Sequence, residues 1–258
     1  MDFITNSRVN NVAIIKLNNP AKFNSFNRTM ALNFQQSLKD AAENSQVRSI
    51  LIAAEGKAFC AGQDLAEAID KSGPGIAKIV NEHYNPIITL MREIEKPIVC
   101  VVQGVAAGAG ANIALAADMV VAAKSAAFIQ AFSKIGLIPD SGGTFMLPRL
   151  IGLQKAAALM MLGEKIMAHD ACNMGMIYKV FEDDKAYEEA LSIAVALADM
   201  PTKAIALTKR LLNQSLTSDL HDQLNAEAKT QVEAALTNDY TEGVNAFLEK
   251  RKPVFKGN

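Results

Sequence analysis

Asp140 stands in LIPDSGG (137–143), inside the mostly apolar run AFSKIGLIPDSGGTFML. Burying a lone carboxylate in such company is costly unless it is paired or takes up a proton. An apolar pocket raises a carboxyl pKa and makes the ionised form a stronger base, which suits it to moving a proton. The plainer reading is a turn carboxylate capping the helix that Gly142 and Gly143 open. Two further stretches could meet a ligand through their backbone. AFCAGQDL (58–65) gathers small residues around Gly62 before Asp64. It reads either as a tight strand-to-helix turn or as a turn aiming N–H groups at an oxygen that develops negative charge. GVAAGAGANIALAAD (104–118) follows the apolar IVCVVQ and opens a helix. Its small residues permit either close approach of a ligand to the helix N-terminus or close helix packing.

Other chemistries find little support. A dinucleotide fingerprint needs a third glycine where Ile113 stands after Gly108 and Gly110, and no Walker lysine is present. DSGG matches part of a serine-protease nucleophile segment, but Pro139 replaces its glycine and the second half of the chain is helix-rich. His83, His169 and His221 show neither triad nor metal-ligand spacing. Lys and Arg number 26 against 27 Asp and Glu, which argues against a polyanion-binding surface. Cys60, Cys100 and Cys172 are scattered and odd in number, as expected of reduced thiols. The first residues lack a signal-peptide pattern, and no uninterrupted apolar run approaches the ~18 residues of a membrane span. A soluble cytoplasmic protein is expected. The basic tail with Lys250, Arg251, Lys252 and Lys256 reads as solvated unless a phosphate-bearing ligand lies nearby.

The elements that must position these residues alternate in the first half of the chain. VAIIKL (12–17), SILIAA (49–54), IVCVVQ (98–103) and MVVAA (119–123) read as strands. Asn27 can cap a helix with Met30, Phe34, Leu38 and Ala41 on one face. Residues 75–95 read as helix, bent or interrupted at Pro86. After about residue 145 the chain turns helical: KAAALMMLG, 184–199, 202–214 and 219–250, with one strand at MIYKVF (176–181). Strands separated by helices argue for a layered α/β core with crossover connections. The expected division is a core over 1–200 and a helical part over 201–258.

The ordered set AFCAGQDL, GVAAGAGANIALAAD, AFSKIGLIPDSGGT and DYTEGVNAFLEKRKP resembles the crotonase (enoyl-CoA hydratase/isomerase) superfamily, from about residue 11 to the C-terminus. The resemblance implies an α/β spiral of ββα units with a helical C-terminal trimerisation region, assembled as a trimer or a dimer of trimers. It implies an acyl-coenzyme A thioester as ligand. By the same resemblance, the backbone N–H groups of Gln63 and Ala109 form an oxyanion hole for the thioester oxygen. Lys22, Phe23, Asn24, Ala58, Ala61, Asp64 and Leu65 match positions that contact the coenzyme. Phe247 and Lys250 match positions that reach it, often from a neighbouring subunit.

Hydratases of the superfamily use two glutamates to activate water, and those positions are Asn112 and Phe132 here. Isomerases of the superfamily place an aspartate at the turn occupied by Asp140. The segments further resemble the isomerases that convert ring-1,2-epoxyphenylacetyl-CoA to oxepin-CoA or shift a 3-enoyl-CoA double bond to the 2-position, although Asn112 and Ser141 depart from the expected side chains. The resemblance therefore implies an acyl-CoA isomerase with Asp140 as acid–base residue. Asn112 and Phe132 are expected among the substrate-binding residues, and Ile69, the 66–90 segment and Phe132 are expected to shape the acyl pocket. An enoyl-CoA hydratase of low activity and a non-catalytic acyl-CoA-binding protein are the alternatives.

Overall fold

The computed structural model describes residues 2–258. Its strands are β1 (Ile4–Val9), β2 (Val12–Leu17), β3 (Ser49–Ala54), β4 (Ala58–Cys60), β5 (Ile98–Val102), β6 (Val105–Ala107), β7 (Met119–Ala123), β8 (Ala127–Ile129), β9 (Lys165–Met167) and β10 (Lys179–Phe181). One sheet runs β1-β2-β3-β5-β7-β10 and a smaller one β4-β6-β8-β9. The chain deals its strands to the two sheets in turn. β3, β5 and β7 enter the large sheet, and each is followed at once by β4, β6 or β8 in the small one. Neighbours within these two series pair in parallel. This is the ββα spiral that the sequence resemblance implies.

The large sheet is covered on both faces, so β3 and β5 are buried at every position and read as continuous apolar runs. The helix Arg28–Glu43 buries the expected Met30, Phe34, Leu38 and Ala41, and Asn27 Oδ1 accepts from Met30 N. The helix Ala186–Ala198 buries Ala186, Ala190, Ala194 and Ala198, one small side chain per turn. That spacing lets its backbone approach β3 closely enough for Ser49 Oγ to donate to Ala194 O at 2.7 Å.

The segment 75–95 departs from a plain helix. Gly75–Lys78 and Asn85–Glu93 are α-helical, and Ile79–Tyr84 between them is π-helical. Pro86 has no N–H to donate to Glu82 O, so the register widens and Asn85 N bonds to Val80 O. Gln35 Nε2 takes up the carbonyl this frees, donating to Glu82 O, and also to His83 O.

Two expectations are corrected. The strand expected over 176–181 begins only at Lys179, because Met176 and Ile177 are buried in the bend after Gly175, and main-chain contact with β7 starts at Tyr178 N. The helix expected over 219–250 is two, Leu220–Ala235 and Asn238–Leu248, since Thr237 turns its hydroxyl to Tyr240 N and caps a new start. The last three helices, beginning with Thr202–Ser215, are tied to the rest by buried polar groups. Lys209 Nζ reaches Met91 O at 2.7 Å and Asp118 Oδ2 at 2.9 Å. Arg48 donates to Thr202, Met200 O and Phe255 O.

Candidate active site

A cavity of about 480 Å³ opens between the turn after β4, the helix start after β6 and the segment 131–140. Its size is that of a small-molecule site. Gln63, Ala109 and Asp140 all line it, so the three motifs converge on one space.

Gln63 follows Gly62, whose φ of +91° favours glycine. Gly62 O accepts from Phe26 N at 2.7 Å, which fixes the plane of the peptide carrying Gln63 N–H. Ala109 is the first residue of the helix Ala109–Leu115, where an N–H has no acceptor within the helix. Neither N–H donates to any acceptor among the described residues. The two turns touch: a Cβ built on Gly62 would lie 3.5 Å from Ala109 N and 3.0 Å from Ala107 O. Gly110 allows the second close approach, since a Cβ there would fall 2.5 Å from Cys60 O. Two adjacent unpaired donors facing one cavity can hold an oxyanion.

Two carboxylates line the cavity, and their surroundings differ. Asp64 accepts from Lys22 Nζ at 2.6 Å and from Ala66 N at 3.1 Å as cap of the short helix Leu65–Ile69. The Lys22 ammonium, with the cap bond, holds its carboxyl below the usual range. Asp140 is half-buried, and burial pushes its carboxyl up against the opposing hydrogen bond from Ser141 Oγ at 2.9 Å. It caps nothing: the helix Gly143–Ile151 has no side-chain cap bond. Environments that separate two carboxylates in this way divide their roles.

The remaining candidate residues fall into three places. Lys22, Ala61, Asp64, Leu65 and Phe132 line the cavity. Asn24, Ala58 and Asn112 are buried in the framework behind it, and Phe23, although exposed, is not among its lining residues. Asn24 clamps its loop, accepting from Asn19 N and donating to Glu55 O and Ala58 O. Asn112 donates to Asp140 O and accepts from Gln130. Phe247 lines a separate hollow of about 450 Å³ on the C-terminal helices, and Lys250 lies just beyond the helix Asn238–Leu248 that carries Phe247; neither lines the Asp140 cavity within this chain. Ile69 is exposed, and Ala68, Ile76, Ile79 and Val80 form that wall of the cavity instead.

Tyr84 was not legible as a site residue. It is buried at the end of the π-helical turn, lines the cavity and donates to Gln63 Oε1 at 2.8 Å. Gln63 Nε2 in turn donates to Glu67 Oε2 at 2.9 Å. Burial raises the Tyr84 phenol well above its ordinary value, so it stays a donor. His83 beside it is buried against Arg28 and does not line the cavity.

A family model for enoyl-CoA hydratase/isomerase matches residues 7–258. The chain is 42% identical to the 1,2-epoxyphenylacetyl-CoA isomerase of Escherichia coli (strain K12), over 100% of this chain and 99% of that protein. It is 36% identical to the trans-2-decenoyl-(acyl-carrier-protein) isomerase of Streptococcus mutans, over 96% and 95% of the two chains. A crystal structure from Mycobacterium abscessus, assigned as an enoyl-CoA hydratase/isomerase, shares the fold with a TM-score of 0.94 and 37% identity, covering 99% of this chain and 100% of that one. The chain is an enzyme of the enoyl-CoA hydratase/isomerase family, within the crotonase superfamily.

Proposed function

We propose that the chain is an acyl-CoA isomerase in which Asp140 moves the proton and the Gln63 and Ala109 N–H groups hold the thioester oxygen. The observation that carries this reading is the state of the two cavity carboxylates. Asp64 is committed to Lys22 and a helix cap, whereas Asp140 is half-buried, raised in pKa and bonded by its neighbour Ser141 rather than by any cation.

For a 3-enoyl-CoA, the Asp140 carboxylate takes a proton from the carbon next to the thioester carbonyl. The electrons delocalise into a dienolate whose oxygen the two N–H groups stabilise. Asp140 then returns the proton to the far carbon, leaving the double bond at the 2-position and the carboxylate restored. For 1,2-epoxyphenylacetyl-CoA, named as the substrate of the E. coli relative, Asp140 takes the proton next to the thioester carbonyl. The two N–H groups hold the enolate oxygen while ring strain drives epoxide opening and rearrangement to the oxepin, and Asp140 returns the proton. Coenzyme A belongs to the substrate, and the scheme needs no separate cofactor.

Assembly as a trimer or a dimer of trimers goes with this reading. The C-terminal helices expose Leu220, Leu236, Phe247 and Leu248, apolar side chains that a neighbouring subunit would cover. Phe247 and Lys250 would then meet a coenzyme bound in the adjacent subunit.

The hydratase alternative needs a second acid–base group on the water side, and Asn112 and Phe132 supply none. The test is the ratio of two activities on purified protein: 3-enoyl-CoA isomerisation and 2-enoyl-CoA hydration. Isomerisation should dominate by about 100-fold or more, the usual worth of one positioned acid–base group. Dominant hydration would reject the reading.

A further inference from the structure

Asn112 and Gln130 form a buried amide pair that ends on the backbone of Asp140. Asn112 Nδ2 donates to Asp140 O at 2.8 Å, and Gln130 Nε2 donates to Asn112 Oδ1 at 2.8 Å. Both residues are 2% exposed and neither lines the cavity. Gln130 Oε1 has no partner among the described residues, so the bond to Asn112 is the one side-chain hydrogen bond this buried amide makes among them.

The turn they reach is an unusual one. Ser141 and Gly142, directly after Asp140, have φ of +52° and +72°. Ser141 is buried, and a buried non-glycine residue stays in the left-handed region only where its surroundings over-determine it. Asp140 O takes two donors, Asn112 Nδ2 and Gly143 N at 2.9 Å. The following helix start is shaped around the amide: a Cβ on Gly143 would fall 2.3 Å from Asn112 Nδ2.

We propose that Asn112, oriented by Gln130, is a positioning residue that fixes the Asp140 turn and presents its carboxylate to the cavity in one pose. This rests on the reading of Asp140 as the base. Asn112 acts through the main chain and does not itself touch substrate. A carboxylate misplaced by about 1 Å costs up to about 100-fold in rate, so the relay should be visible in turnover.

The experiment compares full-length wild type with Asn112→Ala, Gln130→Met and Asp140→Asn in 3-enoyl-CoA isomerisation across pH, beside thermal melting of each. Asn112→Ala should lower kcat by up to about 100-fold with KM little changed. Its acid limb in kcat/KM should move to lower pH, because a loosened Asp140 meets more water. Gln130→Met, which keeps the volume, should move both readouts the same way by less, and it decides the matter if Asn112→Ala does not fold. A fall in Tm with the kcat-to-KM balance and pH profile unchanged would overturn the inference, leaving the pair a packing feature. If Asp140→Asn kept wild-type turnover, the base assignment would fall and this inference with it. If Asp140→Asn were inactive while both amide variants behaved as wild type, only the relay would fall.

Discussion

Ser141 donates its hydroxyl to Asp140 Oδ1 at 2.9 Å while its own φ is +52°. The bond favours the ionised carboxylate and so opposes the burial that raises the Asp140 pKa. The base is the ionised form, so activity is lost as pH falls through the folded-state value. Ser141→Ala removes the bond without changing the backbone demand, and the acid limb of kcat/KM should therefore move to higher pH. An acid limb that stays in place would show that this hydroxyl does not tune Asp140.

The same shift has a stability counterpart. A folded pKa above the unfolded value of about 3.9 means that ionising Asp140 favours the unfolded chain. The penalty is absent at low pH and is complete above the folded value. Asp140→Asn should accordingly melt higher than wild type near pH 7 and lose that advantage in acid. Calorimetry at both pH values checks this, and equal Tm at neutral pH would contradict it.

Gly110 tests the contact between the helix start and β4. In Gly110→Ala the new Cβ would lie 2.5 Å from Cys60 O and 2.6 Å from Cys60 Cβ, so backbone must move. Overpacking of this kind costs about 1–3 kcal/mol. Displacing the Ala109 N–H should also lower kcat, by up to the 100- to 1000-fold that loss of one oxyanion donor costs. Urea unfolding and steady-state kinetics read the two effects separately.

Lys22 and Asp64 should separate in mutagenesis despite their 2.6 Å contact. Lys22 is 56% exposed on its side chain, so Lys22→Ala should cost under about 1 kcal/mol. Asp64→Ala also removes the cap of Leu65–Ile69, worth about 0.5–2 kcal/mol, and should be the more destabilising. If Lys22 meets the coenzyme, its loss should raise KM for the thioester and leave kcat nearly unchanged.

The strands β2, β3, β5 and β7 were legible because each is mostly β-branched or small apolar residues buried at nearly every position, a pattern that survives without knowledge of neighbours. The strands β4, β6, β8 and β9 were not, being three residues long, too short for a period to declare itself. Asp140 could be picked out because a carboxylate amid apolar residues is a local feature, whereas the glycine-rich turns drew attention only to their segments, and Gln63 and Ala109 were singled out within them by the family resemblance. Tyr84 could not, since its place in the cavity depends on a π-helical turn set by Pro86 and sealed by Gln35, far away in sequence. Asn112 was visible as a departure at a hydratase position, but its bond to Asp140 O spans 28 residues and only the fold reveals it.

The most direct test of the central claim is the isomerisation rate of Asp140→Asn at saturating 3-enoyl-CoA, with thioester affinity measured in parallel. Loss of one positioned acid–base group should lower kcat by about 100- to 10,000-fold while the thioester still binds. Turnover close to wild type with affinity intact would mean that Asp140 does not carry the proton, and that the half-buried carboxylate serves the turn alone.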